Sequence, residues 1–485
     1  MVDKKSTNIY AVSGLGRDLA YTLYSTYLMV FFTDALGVSS ATLIAIGIVM
    51  AIARVWDAIN DPIMGVIIDN KTSKWGKFKP WILVGAITSA ISFYLLFQDF
   101  GLRGAPFVIV FAIIYVMSDM TYTMNDIAYW SMYSTFTTDP KEREKIGSKA
   151  RMFASIGMFI TVALVPIVYQ SLYPGTPKEA FSVMALVIVL IFLLSQLAVV
   201  FFVKESKDPI TSVKEEKTKF KDMLKVIFKN DQLVVLIFII LMLNIGYFIT
   251  TALGIYFFNY DFNRYGGAEF MIFSVILAGS QLLSFFLLPL LTKKFTRKQV
   301  FTFAFTSMAL GYSLFFLVGY LFPMNMIFIG IAGFLLFFGQ GFMQVLHIIM
   351  LADTIEYGQL KLGKRNEALI FSINPFVVKL ATSIQTIVVA LTLALSGMNE
   401  KVIKPLTDFI NTTNPSTEVI RERISLTMTN NMVLSLRSSM LIIPFLFVLG
   451  SYLLYVFKYK IDEKKHEEIT KELREKISLE EKKSA

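Results

Sequence analysis

The chain has 485 residues, 55% of them hydrophobic and 17% charged, with a formal net charge of +10 and a mean hydropathy of +0.61. Soluble domains run to about 45–50% apolar and about 25% charged, and the excess here is gathered into runs of about 20 residues or more, each long enough to cross a bilayer. That excludes a soluble enzyme, a secreted module and a disordered chain; with no cysteine and only His347 and His466, it also excludes disulfides, iron–sulfur clusters and histidine-based metal centres.

In chain order, spans are predicted near 10–33, 41–68, 80–97, 106–133, 149–172, 180–203, 232–258, 267–291, 300–320, 325–351, 367–395 and 431–457. All are helices, because a lipid-exposed backbone must satisfy its own hydrogen bonds. The fold class is therefore all-α: a polytopic membrane protein with twelve transmembrane helices in two six-helix bundles. Of the 46 Lys and Arg, 35 fall in the N-terminus, the even-to-odd loops and the C-terminus, and only 7 in the other loops. Basic residues collect in cytoplasmic loops, so both termini are expected in the cytoplasm, and the positive charge reflects topology rather than a nucleic-acid partner. The polar stretch 204–231 divides the chain into an N-terminal bundle (1–203), a cytoplasmic middle loop (204–231), a C-terminal bundle (232–457) and a charged cytoplasmic tail (458–485). In the tail, Ile469, Leu473 and Ile477 share one face, and Glu467–Lys471 and Glu472–Lys476 are i,i+4 pairs, which predicts a solvated helix. The halves echo each other: Asp126-Ile127-Ala128-Tyr129 ends the fourth span and Asp353-Thr354-Ile355-Glu356-Tyr357 the tenth, each before a basic loop. Two such halves describe a transporter with its site between them at mid-membrane.

An ionisable residue inside a span costs at least about 2.5–3.5 kcal/mol, so it is a functional candidate by default. The first span carries Arg17 and Asp18, and Asp18, Tyr21, Thr22 and Ser25 form a polar stripe. In the second, Asp57 and Asp61 are four apart and share a face, with Arg54 one turn before and Asn60 and Pro62 beside them. Two carboxylates so close in a low dielectric repel, so one takes up a proton or both share a cation. The alternative, a structural pair of Arg54 with one Asp, leaves the other unexplained. In the fourth span Asp119, Thr123, Asp126 and Trp130 recur at i, i+4, i+7 and i+11, one continuous stripe. Thr123 offers a hydroxyl oxygen to a cation and Asp126 can accept two hydroxyls of a polyol. Trp130 either presents a flat face to a sugar ring or belongs to the interfacial aromatic belt, and Asp119 either joins the site or serves helix packing. Arg151, at the start of the fifth span, turns into the cavity or into the cytoplasmic interface. Lys379, in the eleventh, cannot easily snorkel out and calls for an acidic partner from the second or fourth span. Asp18, Asp57, Asp61, Asp119 and Asp126 against Arg17, Arg54, Arg151 and Lys379 leave one negative charge, which one Na+ or one proton would neutralise.

The run Trp56-Asp57-Ala58-Ile59-Asn60-Asp61-Pro62-Ile63-Met64-Gly65, followed by Trp75-Gly76-Lys77-Phe78-Lys79-Pro80-Trp81, resembles the signature of the glycoside–pentoside–hexuronide:cation symporters, a family of the major facilitator superfamily. The resemblance extends through Gly16-Arg17-Asp18, Thr121-Tyr122-Thr123, Asp126, Trp130, Arg143-Glu144, Arg151, Ala352-Asp353-Thr354 and Val378-Lys379. It implies that Asp57, Asp61 and Thr123 hold Na+, Li+ or a proton, and that Asn60 helps to admit Na+. It implies that Asp18, Asp126, Trp130 and Arg151 hold the sugar, with Arg17 nearby, and that Lys379 links the two sites. Asp353 and the basic loops at 69–79 and 141–149 would form a cytoplasmic gate. The chain departs from the family pattern at Met343-Gln344, where a member has Trp, at His347 and Asn374-Pro375, and at Asp119, which replaces a small residue.

The expected function is thus a secondary active transporter, not an enzyme, bringing a glycoside, pentoside or hexuronide into the cell with Na+ or H+ by alternating access. No other cofactor is expected. The protein would work as a monomer in a cell membrane of the bacterial inner-membrane type. The alternative is a proton-coupled exporter, or a lipid or amphiphile carrier of the same superfamily, against which the polar stripes of the first and fourth spans argue.

Overall fold

A helix in lipid turns apolar side chains outward and must find partners inside for its polar ones. The computed structural model describes residues 3–168, 176–204, 223–262, 269–398 and 415–484, with a few positions between 402 and 409, and its helices follow that rule. On α2 (Ser40–Asp69) the exposed residues include Ile44, Ile48, Ile52, Val55 and Ile59, whereas Asp57, Asn60 and Asp61 are buried.

The other elements are α1 (Lys4–Val30, continued by a π-helical turn Phe31–Ala35), α3 (Lys79–Leu96), α4 (Ala105–Tyr133), α5 (Pro140–Ile167), α6 (Pro177–Phe202) and α7 (Met223–Lys229). They are followed by α8 (Asp231–Tyr256, with a π turn Phe257–Asp261), α9 (Glu269–Leu291), α10 (Arg297–Leu317), α11 (Met326–Leu362), α12 (Glu367–Leu395), α13 (Thr417–Thr427), α14 (Asn430–Lys458) and α15 (Glu463–Ser484). Among the described residues eleven helices are long and apolar enough to cross a membrane. The twelfth expected span, α1, is as long but more polar, because its interior face carries Arg17, Asp18 and hydroxyl side chains. Local chemistry sets the ends. Asp3, Ser39, Asp139 and Asn325 cap free backbone amides, and Thr296 with Gln299 forms a capping box. Pro lies in the first turn of α3, α4, α5 and α6, and Gly363, at φ 70°, closes α11.

In the N-terminal half α1 packs on α5 and α6, α2 on α4, and α3 on α4 and α6; in the C-terminal half α8 packs on α14, α9 on α11, and α10 on α11 and α14. Contact between the halves runs chiefly through α2 on α12 and α5 on α9. Glycines permit close approaches both within a half and between the halves. A Cβ on Gly157 would stand 2.3 Å from the Leu15 carbonyl oxygen, and one on Gly65 would stand 2.8 Å from that of Ala368.

Three expectations change. The fifth span begins at Pro140 rather than 149, and the tenth runs on to Leu362 rather than 351, because the charges that looked like loop residues pair with one another inside the protein. The middle loop expected at 204–231 falls mostly outside the described residues, and its end forms α7. The tail helix is not solvated all round. Ile461, Ile469 and Leu473 are buried against Tyr357 and Leu360, and His466 is fully buried, while the Glu472–Lys476 pair stays on the outer face at 3.0 Å.

Candidate functional site

Helical spacing puts Asp57 and Asp61 on the inner face of α2, next to Thr123 of α4 and Lys379 of α12. Lys379 Nζ lies 2.5 Å from Asp57 Oδ2 and 2.7 Å from Asp61 Oδ2, so one ammonium bridges both carboxylates. On their other edge Thr123 Oγ1 lies 3.1 Å from Asp57 Oδ1 and 3.3 Å from Asp61 Oδ1. A hydroxyl has one proton and donates to one of those oxygens at a time. The cluster therefore holds two carboxylates against one fixed cation, with three oxygens converging on the edge that Lys379 does not reach. Asp61 is fully buried, and Asn60 is buried beside it, its amide nitrogen without a hydrogen-bond partner among the described residues. Among the described residues Arg54 joins no ion pair, so the structural pairing with one Asp that the spacing allowed does not form.

Next to this cluster lies a cavity of about 170 Å3, lined from α1, α2, α4 and α5 of one half and α12 of the other. Arg17 is buried and clamps two acids, Asp18 at 2.7 Å and Asp126. Its guanidinium carbon lies 4.7 Å from the Tyr129 ring centre and 4.9 Å from that of Trp130. Trp130 is 8% exposed and lines the cavity, so it is not a belt residue. Of the α1 stripe, Asp18, Tyr21 and Ser25 line the cavity, whereas Thr22 is buried away from it. Arg151 also reaches the cavity, donating from Nε (3.0 Å) and Nη2 (2.8 Å) to Gln344 Oε1 of α11. Gln344 is held in turn by Gln340, and Gln340 by Gln281 of α9. Asp119 lines the cavity and accepts a hydrogen bond from the Tyr24 hydroxyl. His347 is buried against the Met343 carbonyl at 3.1 Å.

The end of the bundle that carries both termini is closed by buried ion pairs between the halves. Arg143 of α5 binds Asp353 at 2.8 Å and Glu356 at 2.7 Å on α11. Arg297 of α10 binds Glu144 at 2.8 Å and also Asp353. Arg365 joins Glu356 to Glu367, and Lys77 joins Glu367 to Asp69. The Asp69 carboxylate accepts from the backbone amides of Ala368 (3.0 Å) and Leu369 (2.9 Å), so a residue of α2 caps the start of α12. His466 of α15 lies 3.3–3.5 Å from Arg143, Glu356 and Asp353, and Glu463 accepts from the Arg297 amide at 2.6 Å. Tyr21, Ser25 and Arg54, by contrast, are exposed, so the cavity opens away from this closed end.

The sequence thus placed Asp57, Asn60, Asp61, Thr123 and Lys379 in one cluster and Arg17, Asp18, Asp126, Trp130 and Arg151 around one cavity, and the geometry brings each set together. It missed the three glutamines behind Arg151, for which a polar stripe Gln340–Gln344 at i,i+4 on α11 was the available signal. It also missed His466, which looks like one more charged-tail residue.

Residues 9–463 match the family model described as MFS/sugar transport protein. The chain is 32% identical to the lactose permease of Leuconostoc lactis over 97% of this chain and 71% of that one, and 31% identical to the raffinose carrier protein of Pediococcus pentosaceus over 80% and 62%. It therefore spans about two thirds of the length of these relatives. Among solved structures it matches the transporter FucP in its outward conformation, with a TM-score of 0.62 and 14% identity over 92% of this chain and 98% of that one. Two helical halves enclosing a charged cavity, with a family match over nearly the whole length, make the chain a multi-pass membrane transporter that belongs to the MFS/sugar transport family.

Proposed function

We propose that this transporter carries a sugar into the cell in symport with Na+ or H+, as a monomer in the cell membrane with both termini cytoplasmic. The observation that carries the reading is one lysine shared by two buried aspartates beside a cavity lined by Asp18, Asp126, Arg17, Arg151 and Trp130. Asp57, Asp61 and Thr123 supply oxygens of the kind a hard cation requires, or one of the two carboxylates takes a proton. Either event cancels the remaining negative charge. Asn60 lies behind Asp61 and shapes that pocket.

The sugar occupies the adjoining cavity, with hydroxyls on Asp18 and Asp126 and a ring face on Trp130, while Arg17 pairs with both carboxylates and holds them in place. Arg151 and Gln344 close the side contributed by the C-terminal half. Thr123 and Asp126 are neighbours on one face of α4, and Lys379 joins α2 to α12, so a cation that settles the cluster also fixes the walls of the sugar site. Linkage then requires the sugar to favour cation binding in return. With both bound, the halves rock around the site, and the ion pairs of Arg143, Arg297, Arg365 and Lys77 part to open the cytoplasmic side. One cation entering down 100 mV contributes about 2.3 kcal/mol.

A thermal-shift screen of glycosides, pentosides and hexuronides tests this. At least one sugar should stabilise the purified protein, and more strongly with NaCl or at lower pH than without. Stabilisation by an amphipathic cation but by no sugar would overturn the reading. With the sugar identified, Trp130→Ala should raise the concentration for half-maximal binding about tenfold, on the order of 1–1.5 kcal/mol of lost ring contact. Unchanged binding would remove Trp130 from the site.

A further inference from the structure

Asp119 is the cavity acid that neither the cation role nor the sugar role uses. It lies on α4 four residues before Thr123, on the same face. Its side-chain hydrogen bond comes from Tyr24, and among the described residues it forms no ion pair. Arg54 is the complementary puzzle. It stands three residues before Asp57 on α2, a spacing at which side chains meet, yet it makes no ion pair with Asp57 and instead lines the cavity mouth with Tyr21, Tyr115 and Asp119. Lys379 is already shared by Asp57 and Asp61, so a second fixed cation on Asp57 would complete the neutralisation that the coupling ion is needed for.

We propose that Asp119 is a positioning residue for cation coupling: its charge balances Arg54 across the cavity and keeps that guanidinium off Asp57, so that the place beside the aspartate pair stays available to the transported cation. Tyr24 fixes the carboxylate for this purpose by donating to it, and the ring of Tyr24 is itself held by stacking on Phe93 at 4.8 Å. Asp57 is the carboxylate closest along the chain to Arg54, so once Asp119 no longer balances it Arg54 becomes an internal competitor of the coupling ion. The inference rests on the symport reading of the aspartate pair.

The test is sugar counterflow by the reconstituted full chain, titrated with NaCl at fixed pH, or with pH in potassium buffer if the wild type ignores NaCl. Asp119→Asn should raise the cation concentration for half-maximal counterflow about tenfold, while sugar affinity at saturating cation changes less than about twofold. Adding Arg54→Gln to Asp119→Asn should return the cation requirement to within about threefold of wild type, a rescue that a merely structural role for Asp119 does not produce. An unshifted cation requirement in Asp119→Asn, or a shift that Arg54→Gln does not relieve, overturns the inference and leaves the symport reading standing. If Asp119→Asn does not fold, Tyr24→Phe, which removes the hydrogen bond that fixes the Asp119 carboxylate, decides: the inference requires a raised cation requirement that Arg54→Gln relieves, and an unshifted or unrelieved one overturns it. A wild type indifferent to both NaCl and pH removes the symport reading and this inference with it.

Discussion

Replacing Asp61 by Asn is expected to abolish sugar accumulation against a gradient while sugar-for-sugar exchange continues. In the wild type Lys379 serves two carboxylates, at 2.5 and 2.7 Å, and one negative charge remains. In the variant Lys379 and Asp57 make a neutral pair, and nothing in the cluster calls for a coupling cation. Asp61 is fully buried, so the amide, which has nearly the same shape, keeps the packing. At a membrane potential of 100 mV one coupled charge supports about fifty-fold accumulation, from about 2.3 kcal/mol. Radiolabelled sugar uptake into vesicles with an imposed potential should fall from that range to an inside-to-outside ratio of one. An Asp61→Asn protein that still concentrates its sugar contradicts the assignment.

Asp353→Asn should have the second large effect, at the opposite end of the site. Asp353 is fully buried and accepts from Arg143 at 2.8 Å and from Arg297. Asn at 353 takes from Arg143 and Arg297 the carboxylate they share and leaves each with one acid, Glu356 and Glu144, a loss of about 3 kcal/mol, the lower end for breaking a buried pair, that is felt only while the gate is shut. The population should therefore move by a factor of a hundred or more toward the state open at that end. The chain has no cysteine, so Ser372→Cys provides a single reporter without further substitution. Ser372 is fully buried where α12 meets Gly65 of α2. In the Asp353→Asn background that thiol should react with a membrane-impermeant maleimide, applied from the side of the closed end, at least tenfold faster. Equal rates would mean that these ion pairs do not hold the gate.

Much of this was legible along the chain because the membrane makes patterning strict. A polar residue in lipid must face inward, so Asp57 and Asp61, and Thr123 with Asp126, could be read onto inner faces from their spacing alone, and Lys379 could be read as needing an acid. What spacing cannot give is which acid. Arg54 and Lys379 were both candidates for Asp57, and the choice fell to Lys379 because α12 packs directly on α2 while Arg54 lies at the open mouth. The closed end was legible in parts. Asp353 and the basic segments were visible, but the pairing of Arg143 with a residue 210 positions away is a property of the assembled halves. Helix boundaries failed for the same reason, since Arg143, Glu144 and Glu356 look like loop charges until their partners are in place. In the tail, the Ile469–Leu473 stripe was visible, but its burial depends on Tyr357 and Leu360 lying at the end of a helix that runs eleven residues beyond its expected limit.

The most direct measurement of the central claim is the ratio of cation to sugar moved per cycle, from parallel sodium or proton flux and sugar flux in vesicles at a fixed potential. Two aspartates sharing one lysine predict one positive charge for each sugar, and none in Asp61→Asn. Sugar entry without any accompanying charge in the wild type would contradict the account at its base.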